Sequence, residues 1–375
     1  MKKEWQEKTL GEICTVDWGN TSLTKSAYVE GGRFLAVSAA GCDGRIRHKE
    51  HEKYTPVLSA IGAQCGRMFF PEEDFTAIKN TITLTPINGT CTGRFLYQLL
   101  THVELPKRGA AQPFISKGDI QAFRVRIPLL DEQRRIAAKL DEAFVGLDKA
   151  KESAEKNLQN ARALFESHLQ SVFTQRGEGW EQKTIGEVCE IRGGGTPSKA
   201  VERYWKGMIP WVSPKDMKSD IVSDSIDHIS QEAIDGSATS LIPQGAVLMV
   251  VRSGILARIV PLAVTGRELT INQDLKALCP KNVIESRFLY SLLESKMPEL
   301  LTLVSRGATV HRLQTEQIRS LACSVPPKAA QHQIIGRIDL MREETQRLAR
   351  LYEQKLEALE SLKKSILHEA FSGNL

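Results

Sequence analysis

The 375-residue chain has no long apolar stretch. Its longest apolar run, Ala246 to Val251, falls far short of the roughly 20 residues that cross a bilayer. No apolar segment follows the basic start Met1-Lys2-Lys3, so a cytoplasmic chain with no membrane partner is expected. Cysteine is unpatterned: seven residues, an odd number, with no CxxC pair, which fits reduced thiols better than a disulfide framework or a zinc site. Enzyme signatures are missing too. There is no DPPY or NPPF segment for amino-methyl transfer, no FxGxG turn, no HExxH and no GxxxxGK[ST] loop. Glu181-Gln182-Lys183 matches only the tail of a nuclease ExK motif, without a Pro-Asp partner nearby to share a metal, and its counterpart Gln6-Glu7-Lys8 breaks the match. The chain is therefore expected to be no enzyme, with no catalytic residue, no metal and no cofactor of its own. A net charge of +5 permits nucleic-acid binding without requiring it, because phosphate affinity follows local clustering of cations.

What the chain does have is a second copy of itself. Trp5-Gln6-Glu7-Lys8-Thr9-Leu10-Gly11-Glu12-Ile13-Cys14 returns as Trp180-Glu181-Gln182-Lys183-Thr184-Ile185-Gly186-Glu187-Val188-Cys189, a shift of 175. Arg94-Phe95-Leu96-Tyr97 recurs as Arg287-Phe288-Leu289-Tyr290 at a shift of 193, and Arg108-Gly109-Ala110 as Arg306-Gly307-Ala308 at 198. The last shift then holds: Ile120, Pro128, Gln133, Ile136, Asp141, Leu164 and Phe173 map onto Ile318, Pro326, Gln331, Ile334, Asp339, Leu362 and Phe371. Repeats strict at their edges and loose in the middle describe one architecture used twice and free to diverge where each copy touches something different.

Each copy has two textures. Short apolar clusters such as Phe34-Leu35-Ala36-Val37, Met68-Phe69-Phe70 and Thr81-Ile82-Thr83-Leu84, broken by Gly, Pro and Asn turns, predict strands, with one helix around Thr92 to His102. Cys14 and Cys189 fall at matched strand positions and are expected in the core. After Pro128, Ile136, Leu140, Ala143, Leu147, Ala150, Ala154, Leu158, Ala161, Leu164, His168 and Val172 keep three-or-four spacing to about Thr174, where Gln175-Arg176-Gly177 stops the helix. After Pro326-Pro327, Ile334, Ile338, Met341, Thr345, Leu348, Tyr352, Leu359, Leu362 and Ile366 repeat the pattern. A one-sided helix of that length, on the order of 65 Å at 1.5 Å per residue, must pair to be stable. The two packed antiparallel as a coiled coil leave less apolar surface uncovered than each lying on its own domain. The expected fold is α+β: two mixed α/β domains joined by two long antiparallel α-helices, with an internal pseudo-twofold repeat.

Over nearly its whole length the chain resembles the specificity subunit of type I restriction-modification systems, HsdS. The resemblance rests on Gly193-Gly194-Gly195-Thr196-Pro197-Ser198-Lys199, Ile209-Pro210-Trp211-Val212-Ser213-Pro214-Lys215-Asp216-Met217, Val251-Arg252-Ser253 and Asn272-Gln273-Asp274-Leu275-Lys276-Ala277. Ile127-Pro128-Leu129-Leu130-Asp131-Glu132-Gln133-Arg134-Arg135-Ile136 is similar to the family's IPLPPLxEQRRI pattern; Val325-Pro326-Pro327-Lys328-Ala329-Ala330-Gln331-His332-Gln333-Ile334 lacks its acidic residue, which puts a fixed polar contact at the second helix start in question. The resemblance implies target-recognition domains at residues 1–128 and 176–326 and spacer helices at 129–175 and 327–375. It implies a non-catalytic subunit that binds double-stranded DNA, each domain reading half of a bipartite asymmetric site while the helices set the spacing. Two methyltransferase subunits and two nuclease-translocase subunits are the implied protein partners, with S-adenosylmethionine, ATP and magnesium bound there. The competing reading is a non-catalytic coiled-coil adaptor for protein ligands.

The candidate DNA-binding residues follow from placement. Lys199 closes a Gly-rich turn that can approach a phosphate, or that needs only backbone freedom. Ser213, Lys215 and Asp216 sit on a Pro-fixed loop after Trp211, itself expected in the core. Arg252 and Ser253 follow a strand directly, where a structural ion pair is the rival role for Arg252. Arg45, Arg47 and His48 lie in the densest cationic stretch of the first copy, which also suits a solvated strand. Arg67, Lys79, His311 and Arg312 complete the set.

Overall fold

The computed structural model describes residues 5–175, 177–307 and 309–374. Arg176 of the expected helix stop and Ala308 of the repeated Arg-Gly-Ala lie outside the described residues. The chain divides into two compact units, one built from the chain up to Lys156 together with Tyr352 onward, the other from Asn157–Leu351.

The strict edge of the repeat is a clasp. In the first unit Gln6–Thr9 pairs antiparallel with Arg124–Ile127, the strand that leads into the long helix. Thr9 then donates its N–H (2.6 Å) and hydroxyl (2.8 Å) to Glu12, opening the one-turn helix Leu10–Ile13, whose Leu10 and Ile13 are buried. Thr and Glu three residues apart are what such a turn needs at its start. In the second unit Glu181–Thr184 pairs with Ala322–Val325, and Thr184 makes the same two bonds to Glu187 at 2.5 and 2.9 Å.

Within the first unit the head has a four-stranded antiparallel sheet in the order Cys14–Trp18, Thr81–Pro86, Val57–Ser59, Met68–Phe69. A three-stranded sheet, Gly41–Ile46, Phe34–Ser38, Phe75–Ala77, lies in the same head. The helix Gly93–His102, started by the Thr92 hydroxyl, buries Phe95, Leu96, Leu99 and Leu100 in the core with Leu10, Ile13, Ile82 and Leu84. Within the second unit the order is Cys189–Gly193, Leu275–Pro280, Val247–Val250, Leu262–Thr265, with Ile221–Val222 added as an edge strand. The companion sheet is Asp227–Ile229, Ile209–Val212, Thr270–Ile271, and the helix is Ser286–Ser295. Phe34 faces Ile46 in the first head and Ile209 faces Ile229 in the second. The residues that enlarge the repeat shift therefore include the segment carrying the extra edge strand. Cys14 and Cys189 are buried as expected.

The long helices are Leu130–Thr174 and Lys328–Phe371, 45 and 44 residues without a break. In the first unit Ile136 and Leu140 share a core with Leu367 and Ala370, Lys363 lies over the Phe144 ring at 5.0 Å, and Lys151 pairs with Glu360 at 2.7 Å. Rising numbers meet falling ones, so the pairing is antiparallel. In the second unit Arg342 stacks on Phe165 at 4.5 Å, while Phe173 and Ile334 join one core. The covered positions of the first helix run Leu140, Phe144, Leu147, Lys151, Ala154, Leu158, Ala161, Phe165, His168, Val172, a heptad pattern. Leu164 and Leu362, expected in the seam, are 51% and 48% exposed. Phe165 and Lys363 take those places because spacings of three and four alternate, and a count that slips by one residue lands on the neighbouring position.

Candidate nucleic-acid interface

The strand Val247–Val250 of the second head runs out at Val251, which is tied on both sides: its N–H donates to the Asp274 carbonyl at 2.8 Å and its carbonyl accepts from Leu313 at 2.9 Å. Immediately beyond, Arg252–Ser253 pairs antiparallel with His311–Arg312, Arg252 facing Arg312 and Ser253 facing His311. The backbones of Ser305 and Arg312 exchange hydrogen bonds at 2.8 and 3.0 Å and close the base of the returning loop. Four residues chosen from two distant parts of the sequence thus form one short ribbon. Arg312 and Arg306 are exposed and carry no ion pair among the described residues. Arg252 has one long contact, Nε to Asp274 Oδ1 at 3.5 Å. Ser253 spends its hydroxyl accepting from Ile255 N (3.4 Å) to start the turn Gly254–Ala257. His311 Nδ1 is buried without a hydrogen-bond partner.

The first head builds the same scaffold with different tips. Ala60 donates to the Asn80 carbonyl at 2.9 Å and accepts from Ile115 at 2.8 Å, and Arg108 and Phe114 exchange backbone bonds at 2.9 and 2.8 Å. Ile61 and Gly62 stand where the second head has Arg252 and Ser253, with Phe114 opposite. Arg108 is engaged by Asp119. Arg67 and Lys79 flank this strand end: the Arg67 carbonyl accepts from Ser59 at 2.8 Å, and Lys79 precedes Asn80, which holds a left-handed φ of 73°. Both side chains are exposed; Arg67 lies 5.6 Å over the Phe69 ring and 3.3 Å from Gln64 Oε1, whereas Lys79 has no side-chain partner among the described residues.

Arg45, Arg47 and His48 belong to a separate place, the outer strand Gly41–Ile46 and the residues after it. Arg45 grips both oxygens of Glu73 at 2.7 and 3.1 Å and holds that carboxyl below its usual range. Lys49 is tied to Asp74 at 2.7 Å. Arg47 and His48 remain exposed with no side-chain partner among the described residues.

The Gly-rich turn is explained by packing. A Cβ at Gly194 would meet Ile271 O at 2.1 Å, and one at Gly19, the matched position, would meet Thr81 Oγ1 at 2.2 Å. Close approach of the turn to a neighbouring strand requires glycine in both heads. Lys199 beyond it is exposed and unpaired among the described residues. Trp211 is buried, its ring N–H donating to Gly195 O at 2.9 Å. Ser213 donates its N–H and hydroxyl to Asp216, both at 2.9 Å, and the other Asp216 oxygen accepts from Ile226 N at 3.1 Å. Lys215 is raised above its usual range by its 2.6 Å bond to Asp227. These three side chains fasten their own loop.

Sequence reasoning missed Arg306 and Arg258, both exposed beside the ribbon, and Gln273, which bonds Thr196. Arg306 stands in the repeated Arg-Gly-Ala, a signal that was available. Among the described residues no group of three or more His, Cys, Asp or Glu is placed to hold a metal, and no helix is long and apolar enough to cross a membrane.

Two equivalent heads, each presenting a loop cluster at the same strand end, define a duplicated recognition protein. The chain belongs to the family described as Type I restriction modification DNA specificity domain, whose profile matches residues 2–157 and 177–360. It is 33% identical over 223 residues to the EcoR124I/EcoR124II specificity subunit of Escherichia coli, covering 58% of this chain and 55% of that one. With the MjaIX specificity subunit of Methanocaldococcus jannaschii it shares 31% over 159 residues, 41% of this chain and 36% of the relative. The matched stretches thus span about half or less of these two relatives. A solved chain from the complex assembly and conformational transition of the type I R-M system superposes over 100% of both chains with a TM-score of 0.81 at 19% identity. The HsdS subunit from Thermoanaerobacter tengcongensis does so over 99% of this chain and 97% of its own, at 0.58 and 19%. These two likenesses carry the fold.

Proposed function

We propose that this chain is the DNA-reading, non-catalytic subunit of a type I restriction-modification complex, each head reading one half of a bipartite asymmetric site and the long helices setting the distance between halves. The observation that carries this is the double family match, one range on each head, together with scaffolds that agree in the strands and differ at the tips. Divergent tips on a common frame suit two different short sequences. The free cations Arg312 of the ribbon and Arg306 beside it, with Arg47, Lys79 and Lys199, supply phosphate and base-edge contacts; arginine in particular reads guanine through two parallel bonds.

The helices carry exposed apolar side chains that solvent alone does not favour: Val145 and Leu164 on the first, Leu340, Leu351 and Leu362 on the second. The last three recur every 11 residues, which is three turns and hence one face. Exposed apolar positions on the helices suit docking of methyltransferase subunits, two in number, with two nuclease-translocase subunits completing the complex. S-adenosylmethionine, ATP and magnesium belong to those partners, and the assembly is cytoplasmic.

Exchange of residues 180–325 for the corresponding head of an unrelated relative tests the division of labour. Methylation mapped across a genome should change in one half of the target and keep the other. Changes in both halves refute the assignment. Binding that is flat with salt, where release of condensed counterions would give a steep negative slope, favours the adaptor reading.

A further inference from the structure

We infer that Gln133 and Gln331 are positioning residues, a matched pair of joints that fix the angle at which each head leaves its own long helix and so restrict the half-site spacing the complex accepts. The spacing half of this inference rests on the DNA-reading function proposed above; the angle half does not.

Both side chains are 0% exposed. Gln133, in the first turn of its helix, donates its amide nitrogen to the carbonyls of Thr90 (3.0 Å) and Pro128 (2.9 Å), and its amide oxygen accepts from Thr92 N at 3.0 Å. Gln331 repeats every bond: to Val283 O at 2.8 Å, to Pro326 O at 2.9 Å, and from Glu285 N at 2.8 Å. Thr92 and Glu285 are the residues that open the head helices Gly93–His102 and Ser286–Ser295. Pro128 and Pro326 close the strand side of each clasp. One planar group therefore ties three strokes of the chain: the end of the last head strand, the loop before the head helix, and the start of the long helix.

The chemistry restricts the residue. Two carbonyls need two N–H donors and one amide N–H needs an acceptor, on a single flat group inside the protein. A carboxylate of the same shape offers no donor, and an aliphatic chain leaves three buried backbone groups unpaired. Glu132, the acidic residue that the second copy lacks, pairs with Arg135 of its own helix at 2.6 Å, and the three bonds of Gln133 do not involve it. A fixed polar contact is therefore present at the start of both long helices, the glutamine that both copies have. Eight residues further along, a second tie holds each head helix, Arg94 to Asp141 at 2.5 to 3.0 Å and Arg287 to Asp339 at 2.8 Å. Two ties two turns apart define a direction, which one cannot.

The test uses the full complex with its methyltransferase subunits and a DNA library whose two half-sites are separated by every spacing within four base pairs of the preferred one. Gln133→Glu and Gln331→Glu should raise methylation at neighbouring spacings at least fivefold relative to the preferred one. Ile82→Ala, a core change away from the joint, should lower the melting temperature and leave that ratio alone. Gln133→Asn, with the same groups on a shorter arm, serves if the Glu variant does not fold. A second readout needs no DNA: spin labels on Glu30→Cys and Asp148→Cys in a Cys42→Ser background, one on the first head and one on its own helix. Their distance distribution should broaden in the Gln133 variant. Glutamine variants that melt like Ile82→Ala with unchanged spacing ratio and unchanged distribution overturn the proposal. A wild-type complex that methylates no pair of half-sites overturns the spacing half, and the distance distribution alone then decides the angle.

Discussion

At the scale of single residues, exposure and partnership separate readers from fasteners. Arg312→Ala is expected to cost about 1–3 kcal/mol of specific DNA binding and to relax one position of the second half-site only, whereas Arg47→Ala should weaken all sequences alike and reduce the salt slope by about one. Binding titrations at several salt concentrations against both half-site libraries distinguish these. Ser213→Ala should leave DNA affinity unchanged and destabilise the fold by roughly 1 kcal/mol, since its hydroxyl serves Asp216; a large affinity loss at unchanged stability contradicts that role. The cysteines provide a further check. Cys42 is exposed while the other six are buried, and burial pushes the Cys14, Cys91 and Cys189 thiols up to about 12. Burial also raises the Cys42 thiol, so accessibility alone sets it apart, and one thiol of seven is expected to label with maleimide in the native protein.

At the scale of elements, the Thr-Glu turns that open each head respond to acid in a defined direction. The Glu12 and Glu187 carboxyls are held below the usual 4.5 by the Thr9 and Thr184 backbone and hydroxyl donors. A depressed carboxyl contributes stability that is fully present above its unfolded value and is lost as pH falls through its lower folded value. The stability gap between the wild type and Glu187→Gln in urea melts should therefore be constant from pH 7 to about 5 and close below 4.5; a gap that persists at pH 3 argues against the bond. The Thr-Glu turns carry a local signal in the sequence, Thr and Glu three residues apart, that the reading of the repeat passed over. The long helices were legible from their period, yet Leu164 and Leu362 were misplaced because apolar residues also occupy the outward face. The strands at Phe34, Met68 and Thr81 were legible as apolar clusters, but the order in which they pair was not, because pairings such as Trp18 with Ile82 join distant segments. The ribbon was half legible. Arg252, Ser253, His311 and Arg312 were each selected, but nothing local says that they pair.

At the scale of the whole molecule, each long helix contributes its halves to two different compact units while its heptads run on without interruption. Paired removal of Ala150–Lys156 and Tyr352–Ala358 keeps the seam in register on both helices and shortens each by about 10 Å. The complex should then prefer half-sites roughly three base pairs closer, at about 3.4 Å per pair. Unchanged spacing with full methylation would falsify the ruler. Removing four residues from one helix alone should instead shift its seam against the other and destabilise assembly.

The clasp at the base of each head has an evolutionary consequence. Because Glu181–Thr184 zips to Ala322–Val325, the chain enters and leaves a head side by side, so a gene segment spanning it behaves as a cassette with compatible ends. The repeated stretches at Trp5 and Trp180 mark matching entry points into the two heads. On the function proposed above, exchange of one such cassette would change one half of the target and leave the other head and both helices as they are.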